Sequence, residues 1–160
     1  MRSVLTLVLA GWTAAAGAQI PTQRISSASA QAIVAGCVAR DEVASQSHSI
    51  AVTDTGGHPV IVFRMDRSGP GATEFALEKA RAAALWGFPT SGMEEGARGT
   101  PGFADAPHVV TVPGGVPVYS ADGAMRLGAV GASGEAPADD VACVLAGIEA
   151  AGLRSEPATR

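Results

Sequence analysis

Aromatic residues are scarce: one Tyr, four Phe and two Trp in 160 residues. At 4% aromatic but 47% hydrophobic, the chain must build its core from closely packed Ala, Val, Ile and Leu rather than from large rings. Lysine is scarcer still, since Lys79 is the only one and every other basic residue is Arg. No run of like charge occurs, and the net charge is only −4. That excludes the basic stripe of a nucleic-acid protein and the polybasic segment of a membrane-surface anchor. No apolar run approaches the ~20 residues that a membrane span requires. The chain also lacks HExxH, GxSxG, any closely spaced acid/His cluster, and a GxGxxG after a first strand. Zinc protease, serine hydrolase, carboxylate-ligated metal enzyme and dinucleotide binder are thereby set aside.

What is present suits one folded domain. The length falls within the ~100–200 residues of a typical domain, and 16% charged residues is too few for a disordered chain. Twenty Gly and ten Pro imply many tight turns. Residues 1–18 read as a secretory leader: Arg2, the apolar run Val4–Ala10, then the small-x-small pattern Ala16-Gly17-Ala18 ahead of Gln19. The expectation is cleavage after Ala18 and a periplasmic or secreted product spanning residues 19–160. No Cys follows the leader, which argues against a lipid anchor.

Export changes the reading of the two cysteines. Cys37 and Cys143 form an even pair in an oxidising compartment, where a bond is permitted. Such a bond would close most of the domain into one loop and favour folding by about 4–5 kcal/mol on chain-entropy grounds. The alternative is two free buried thiols acting as small apolar residues. Spacing and count leave no CxxC redox pair, no CxxCH haem attachment and no zinc motif, so no metal site is expected.

Local signals predict the elements. Ser26 or Ser27 caps a helix to about Ser45, with Ala30, Ile33, Val34, Cys37 and Val38 on one face. Ser49–Thr53 and His58–Met65 read as a hairpin around Asp54-Thr55-Gly56-Gly57. A strongly helix-forming, Ala-rich run extends from Ala72 to about Trp86, and a short helix from Ser91 to Gly99. Three further strands are expected at His108–Val112, Val116–Ser120 and Met125–Gly131. A last helix covers Asp139–Ala150, its two leading acids matched to the helix dipole. The order predicts an α+β fold: an antiparallel five-stranded sheet with helices packed on its faces.

Four blocks then carry a resemblance. The run Ile50–Val60 with Phe63-Arg64-Met65-Asp66 resembles the opening hairpin of the GlcG/HbpS-like, or haem-degrading domain, family. Glu78–Ala83 with Phe88-Pro89-Thr90, then Val112–Pro117, then Gly128–Gly134 are similar to that family's later blocks, in the same order. The resemblance runs from about Ile25 to Gly152. It implies a profilin-like sandwich, a homo-oligomer, and haem as a possible ligand, but assigns no haem-ligating residue here.

The residues themselves suggest two kinds of chemistry. Gly114-Gly115 and Gly131–Gly134, with Ser133, stand near strand ends, where free N–H groups suit a carboxylate or phosphate; the alternative is simple tight turns. Arg64, Arg67, Lys79 and Arg81 could line a pocket for haem propionates or a small organic acid. Lys79 either faces the sheet, where burial favours proton-transfer or Schiff-base chemistry, or faces water and pairs with Glu74 or Glu78. His48, His58 and His108 are possible imidazole ligands, and Met65, Met93 and Met125 soft ones. The leading expectation is a binder of haem or another small anionic ligand, with its site between the hairpin, the Lys79 helix and Pro113–Pro117. The alternative is a small isomerase or lyase on a carboxylated catabolite, with Lys79 or His108 moving a proton and Arg64 holding a carboxylate. Neither reading invokes a nucleic-acid or membrane partner.

Overall fold

Ser26 opens the first helix by accepting the Ser29 N–H on its Oγ at 3.0 Å, the expected cap. The computed structural model describes residues 23–159, so the leader expected at residues 1–18 lies outside the described residues. Helix α1 (Ser27–Ala44) leads to β1 (Ser49–Asp54) and β2 (Pro59–Arg64). The turn between the strands is pinned by Asp54, whose carboxylate accepts the N–H groups of Gly56 at 2.8 Å and His58 at 3.0 Å. Helix α2 (Pro70–Trp86) begins on a proline and stops at Gly87, whose φ of 80° is left-handed. Then come α3 (Thr90–Gly99), a single 3₁₀ turn (Phe103–Asp105), β3 (Gly115–Tyr119), β4 (Arg126–Ser133) and α4 (Pro137–Ala150).

The sheet has four antiparallel strands in the order β2-β1-β4-β3. The α+β architecture agrees with the sequence reading, but the fifth strand is absent. Residues 108–112 follow an irregular path instead. His108 adopts a left-handed φ of 58°, and Pro107 and Pro113 bracket the segment, so a continuous extended ladder cannot form there. The Trp86 Nε1–H holds the Pro107 carbonyl at 3.1 Å, fixing this path against the end of α2.

The two faces of the sheet are packed differently. Ile50, Val52, Val130 and Ala132 join Ile33, Val34, Val144 and Ile148 in the main core, beneath α1 and α4. On the other face Ala51, Thr53, Ala129 and Gly131 meet the alanines of α2. At Gly131 a Cβ would run into the Ala76 carbonyl and the Ala80 nitrogen, so the helix backbone rides directly on β4. Where α1 crosses α4, Gly36 and Gly147 allow the same closeness, and a disulfide joins Cys37 to Cys143 with the Cα atoms 4.6 Å apart. It spans 106 positions. Strand β2 is an outer edge, with Val60, Val62 and Phe63 exposed.

Candidate functional site

Lys79 is 1% exposed and carries the longest side chain among the fully buried residues. From α2 it passes the start of β3 and reaches the first turn of α4. Gly114, at φ 126°, makes that passage possible: a Cβ there would lie 2.8 Å from Lys79 Nζ and 2.9 Å from the Asp140 Cβ. Nζ donates to Asp140 Oδ2 at 2.6 Å and to the Ala132 carbonyl at 3.1 Å, and lies 4.8 Å from the centre of the Phe75 ring. The sequence left the direction of Lys79 open; the structure turns it inward and gives it Asp140.

The array continues into α1. His48 Nε2 lies 3.1 Å from Asp140 Oδ1, a close imidazole–carboxylate contact that becomes an ion pair when the ring is protonated. His48 Nδ1 stands 2.6 Å from Asp41 Oδ2. Arg40 donates to Asp41 Oδ1 at 2.9 Å and to Asp139 Oδ1 at 3.2 Å. Burial opposes a charge on His48, but the carboxylates of Asp140 and Asp41 outweigh it and raise its pKa above the ordinary 6.5. With His48 protonated, Arg40, His48 and Lys79 balance Asp41, Asp139 and Asp140. Asp41, His48, Lys79 and Asp140 are buried, so this array is a scaffold that ties three helices together rather than a substrate-facing site.

The other expected site residues disperse. The Gly115 N–H donates to Thr90 Oγ1 at 3.0 Å, and the Gly114 carbonyl accepts the Ala132 N–H at 2.9 Å; both glycines serve the fold around Lys79. Ser133 is buried at the end of β4, paired in register with Ser49. Arg64 is exposed at the end of β2, paired with Ser49 and so on the α2 side of the strand, at the rim of a depression of about 280 Å³ that Val38, Glu42 and Phe63 also line. Arg67 lines another of about 290 Å³ and donates to the Ser45 carbonyl at 3.2 Å. Neither arginine shares a depression with Lys79, whose Nζ is taken up by Asp140 and the Ala132 carbonyl.

A different group does assemble, on the outer side of α2. His108 is half-exposed and its Nδ1 lies 3.5 Å from Glu78 Oε2. Glu78 also pairs with Arg81, whose Nε donates to the Gly57 carbonyl at 3.4 Å. Leu85 reaches the same turn, while Trp86 packs edge-on against Phe88 and Phe103, with ring centroids 6.4 and 5.2 Å away. The result is an open face holding one imidazole, one carboxylate, one guanidinium and apolar surface. It is made by helix spacing (78, 81 and 85 on one side of α2) and by the unusual backbone at His108.

The buried partners were nearly invisible in sequence. Asp41, His48, Lys79 and Asp140 come from three helices and the loop before β1, and no motif links them. The one usable signal was a lone lysine inside an alanine-rich helix, a residue out of keeping with its surroundings.

Comparison with known proteins agrees with the resemblance. The model of the family described as haem degrading protein HbpS-like matches residues 25–149. Protein GlcG of Escherichia coli K12 is 42% identical over 110 residues, covering 68% of this chain and 81% of that protein. Among solved structures, a double mutant of Streptomyces reticuli HbpS superposes with a TM-score of 0.76 at 24% identity, over 89% of this chain and 97% of that one. A PduOC–haem complex superposes with a TM-score of 0.76 at 21% identity, over 83% and 99%.

Proposed function

The chain belongs to the HbpS-like family, and from that premise we propose that it is an exported protein binding haem, or another planar anionic ligand, on the open face formed by α2 and the His108 segment. The observation that carries this reading is the state of the three histidines. His48 is consumed by the buried array, and His58 projects into water with its side chain 81% exposed. His108 alone is half-exposed beside a carboxylate–guanidinium pair, Glu78 with Arg81, and follows the Pro107 carbonyl held by Trp86.

Haem fits this face better than any of the depressions. Those lined by Arg64, Arg67 or Gly115 enclose about 280, 290 and 160 Å³, and none contains a histidine. Ligand cavities usually enclose about 300–1,000 Å³. On the open face the His108 Nε2 would meet the iron, Leu85 and Trp86 would cover porphyrin edge, and Arg81 would pair with a propionate. The iron would supply one-electron chemistry that the chain's own side chains lack. The haem complex of the PduOC structure supports a haem ligand for this fold. Exposed Val60, Val62 and Phe63 on the β2 edge offer a surface for a second copy, in keeping with a homo-oligomer.

The isomerase or lyase alternative keeps only part of its machinery. Lys79 is paired and buried, and Arg64 is at the end of β2 away from the Gly57 turn, which leaves His108 and Glu78 as the acid–base pair beside Arg81.

Titration of the leaderless protein with haem, followed by absorbance, tests the proposal. One haem per site is expected, with affinity reduced at least about tenfold in His108→Ala and unchanged in His58→Ala. Equal affinity in wild type and His108→Ala would remove this face from consideration.

A further inference from the structure

Cys37 and Asp41 lie one turn apart on α1, so their side chains share a face. That face meets Cys143 of α4 and His48, the residue before β1. Asp41 Oδ2 is 2.6 Å from His48 Nδ1 and 3.8 Å from Cys37 Sγ. One donor atom from each of Cys37, Asp41, His48 and Cys143 lies within 4.8 Å of the others, and all four residues are buried. The two sulfurs are joined as a disulfide here, which leaves them no capacity for a cation. Reduction changes the donor set to two thiols, an imidazole and a carboxylate.

That set has the composition and number of a closed tetrahedral zinc site. Zinc bonds of about 2.0–2.3 Å place tetrahedral ligand atoms roughly 3.3–3.8 Å apart, so on reduction the two sulfurs and the Asp41–His48 pair must part while the longest separation, 4.8 Å, closes by about 1 Å, all within reach of side-chain rotation. The outer partners are already in place. His48 keeps its second ring nitrogen beside Asp140, itself held by Lys79, and Asp41 keeps its second oxygen on Arg40. A histidine ligand backed by a carboxylate is the usual support of a protein zinc site. Two thiolates and Asp41 would leave one negative charge around a divalent cation, next to the Arg40 guanidinium.

We propose that Cys37, Asp41, His48 and Cys143 form a redox-gated site for a thiophilic divalent cation, such that disulfide formation and zinc binding exclude one another. The steps balance with a dithiol as reductant. The dithiol gives two electrons and two protons, becoming a disulfide, while the Cys37–Cys143 bond opens to two thiols. Zinc then displaces both thiol protons and the Nδ1 proton of His48 into solvent, and neutral His48 binds through Nδ1 with its remaining proton on Nε2, facing Asp140. In the reverse direction an oxidising disulfide takes two electrons from the thiolates, the Cys37–Cys143 bond re-forms and zinc leaves. The two cysteines alone gave no zinc spacing in the sequence; the fold supplies the other two ligands from residues 41 and 48.

Because the cluster is buried, the test unfolds the full-length leaderless chain in a dithiol reductant and refolds it with cobalt(II) as the probe. One cobalt per chain is expected, with tetrahedral d–d absorption and a thiolate-to-cobalt charge-transfer band, both lost on adding zinc. The oxidised protein should show neither. Cys143→Ser should roughly halve the charge-transfer intensity. His48→Gln and Asp140→Asn should weaken binding, the latter by about 10- to 100-fold as an outer-sphere support. A reduced chain that folds only with cobalt supports the site. A reduced chain that folds without binding cobalt, fails to fold with cobalt present, or binds it equally when oxidised or when both cysteines are Ser, overturns it.

Discussion

Lys79 and Asp140 meet at 2.6 Å although they belong to helices on opposite faces of the sheet. The contact runs past the end of β3, where Gly114 leaves room for it. It couples the alanine-packed layer under α2 to the disulfide-linked pair α1 and α4, and any change at either residue leaves a buried charge on the other.

Lys79→Met should therefore destabilise the protein by about 3–5 kcal/mol, the cost of leaving one member of a buried pair uncompensated. Urea unfolding measures this. A double-mutant cycle with Asp140→Asn should show strong coupling, so the two losses fall well short of additive. Additive losses would mean that the pair does not act as a unit.

His48 should make stability depend on pH in the disulfide-bonded protein. It faces Asp41 from α1 and Asp140 from α4, with Arg40 and Lys79 behind them, and its folded-state pKa is raised above 6.5. The folded state thus holds the proton more tightly than the unfolded state. The stabilisation is fully present below pH 6.5 and is lost as pH rises through the folded-state pKa. The urea midpoint should fall as pH rises from 6.5 through the raised folded-state pKa, and His48→Gln should flatten that dependence. A wild-type midpoint that rises over this interval would contradict the assignment.

Gly131→Ala should cost about 1–3 kcal/mol or more, since the added methyl meets the α2 backbone at Ala76 and Ala80 rather than a movable side chain. Thermal unfolding of the single variant is sufficient. An unchanged melting temperature would mean that α2 can lift off β4 freely.

Arg81→Ala should weaken binding of a dicarboxylate ligand such as haem by about 1.5–3 kcal/mol, the range for a hydrogen bond to a charged group. Arg64→Ala should leave it unchanged, because Arg64 sits at the end of β2 away from the Gly57 turn that Arg81 holds. Calorimetry on both variants gives the comparison, and the opposite ranking would move the site to the β2 depression.

Reducing the Cys37–Cys143 bond without added metal should lower stability by about 2–5 kcal/mol. The bond closes a loop of 106 positions, so its loss frees most of the unfolded chain. Unfolding curves with and without reductant report the difference; coincident curves would show that the link carries no stability.

Sequence alone determined the elements that are locally encoded. The Ser26 cap, the Asp54–Gly57 turn, the alanine run of α2 and the acid-led α4 each depend on residues within a few positions, and each appears where its chemistry requires. The two-cysteine link was readable as a possibility for the same reason of economy: only one pairing exists. The strand at 108–112 was misread because its apolar composition is that of a strand, while the left-handed His108 and the flanking prolines rule out the ladder. Only the tertiary structure decided what the charged residues do. Whether Lys79 faced Glu74, Glu78 or Asp140 depended on which helix crosses the end of β3, and whether Arg64 reached a shared pocket depended on where the end of β2 comes to lie against the helices. Periodicity specifies a face within one element, but the partner of a buried charge is chosen by how separate elements pack, and that information is spread over the whole core.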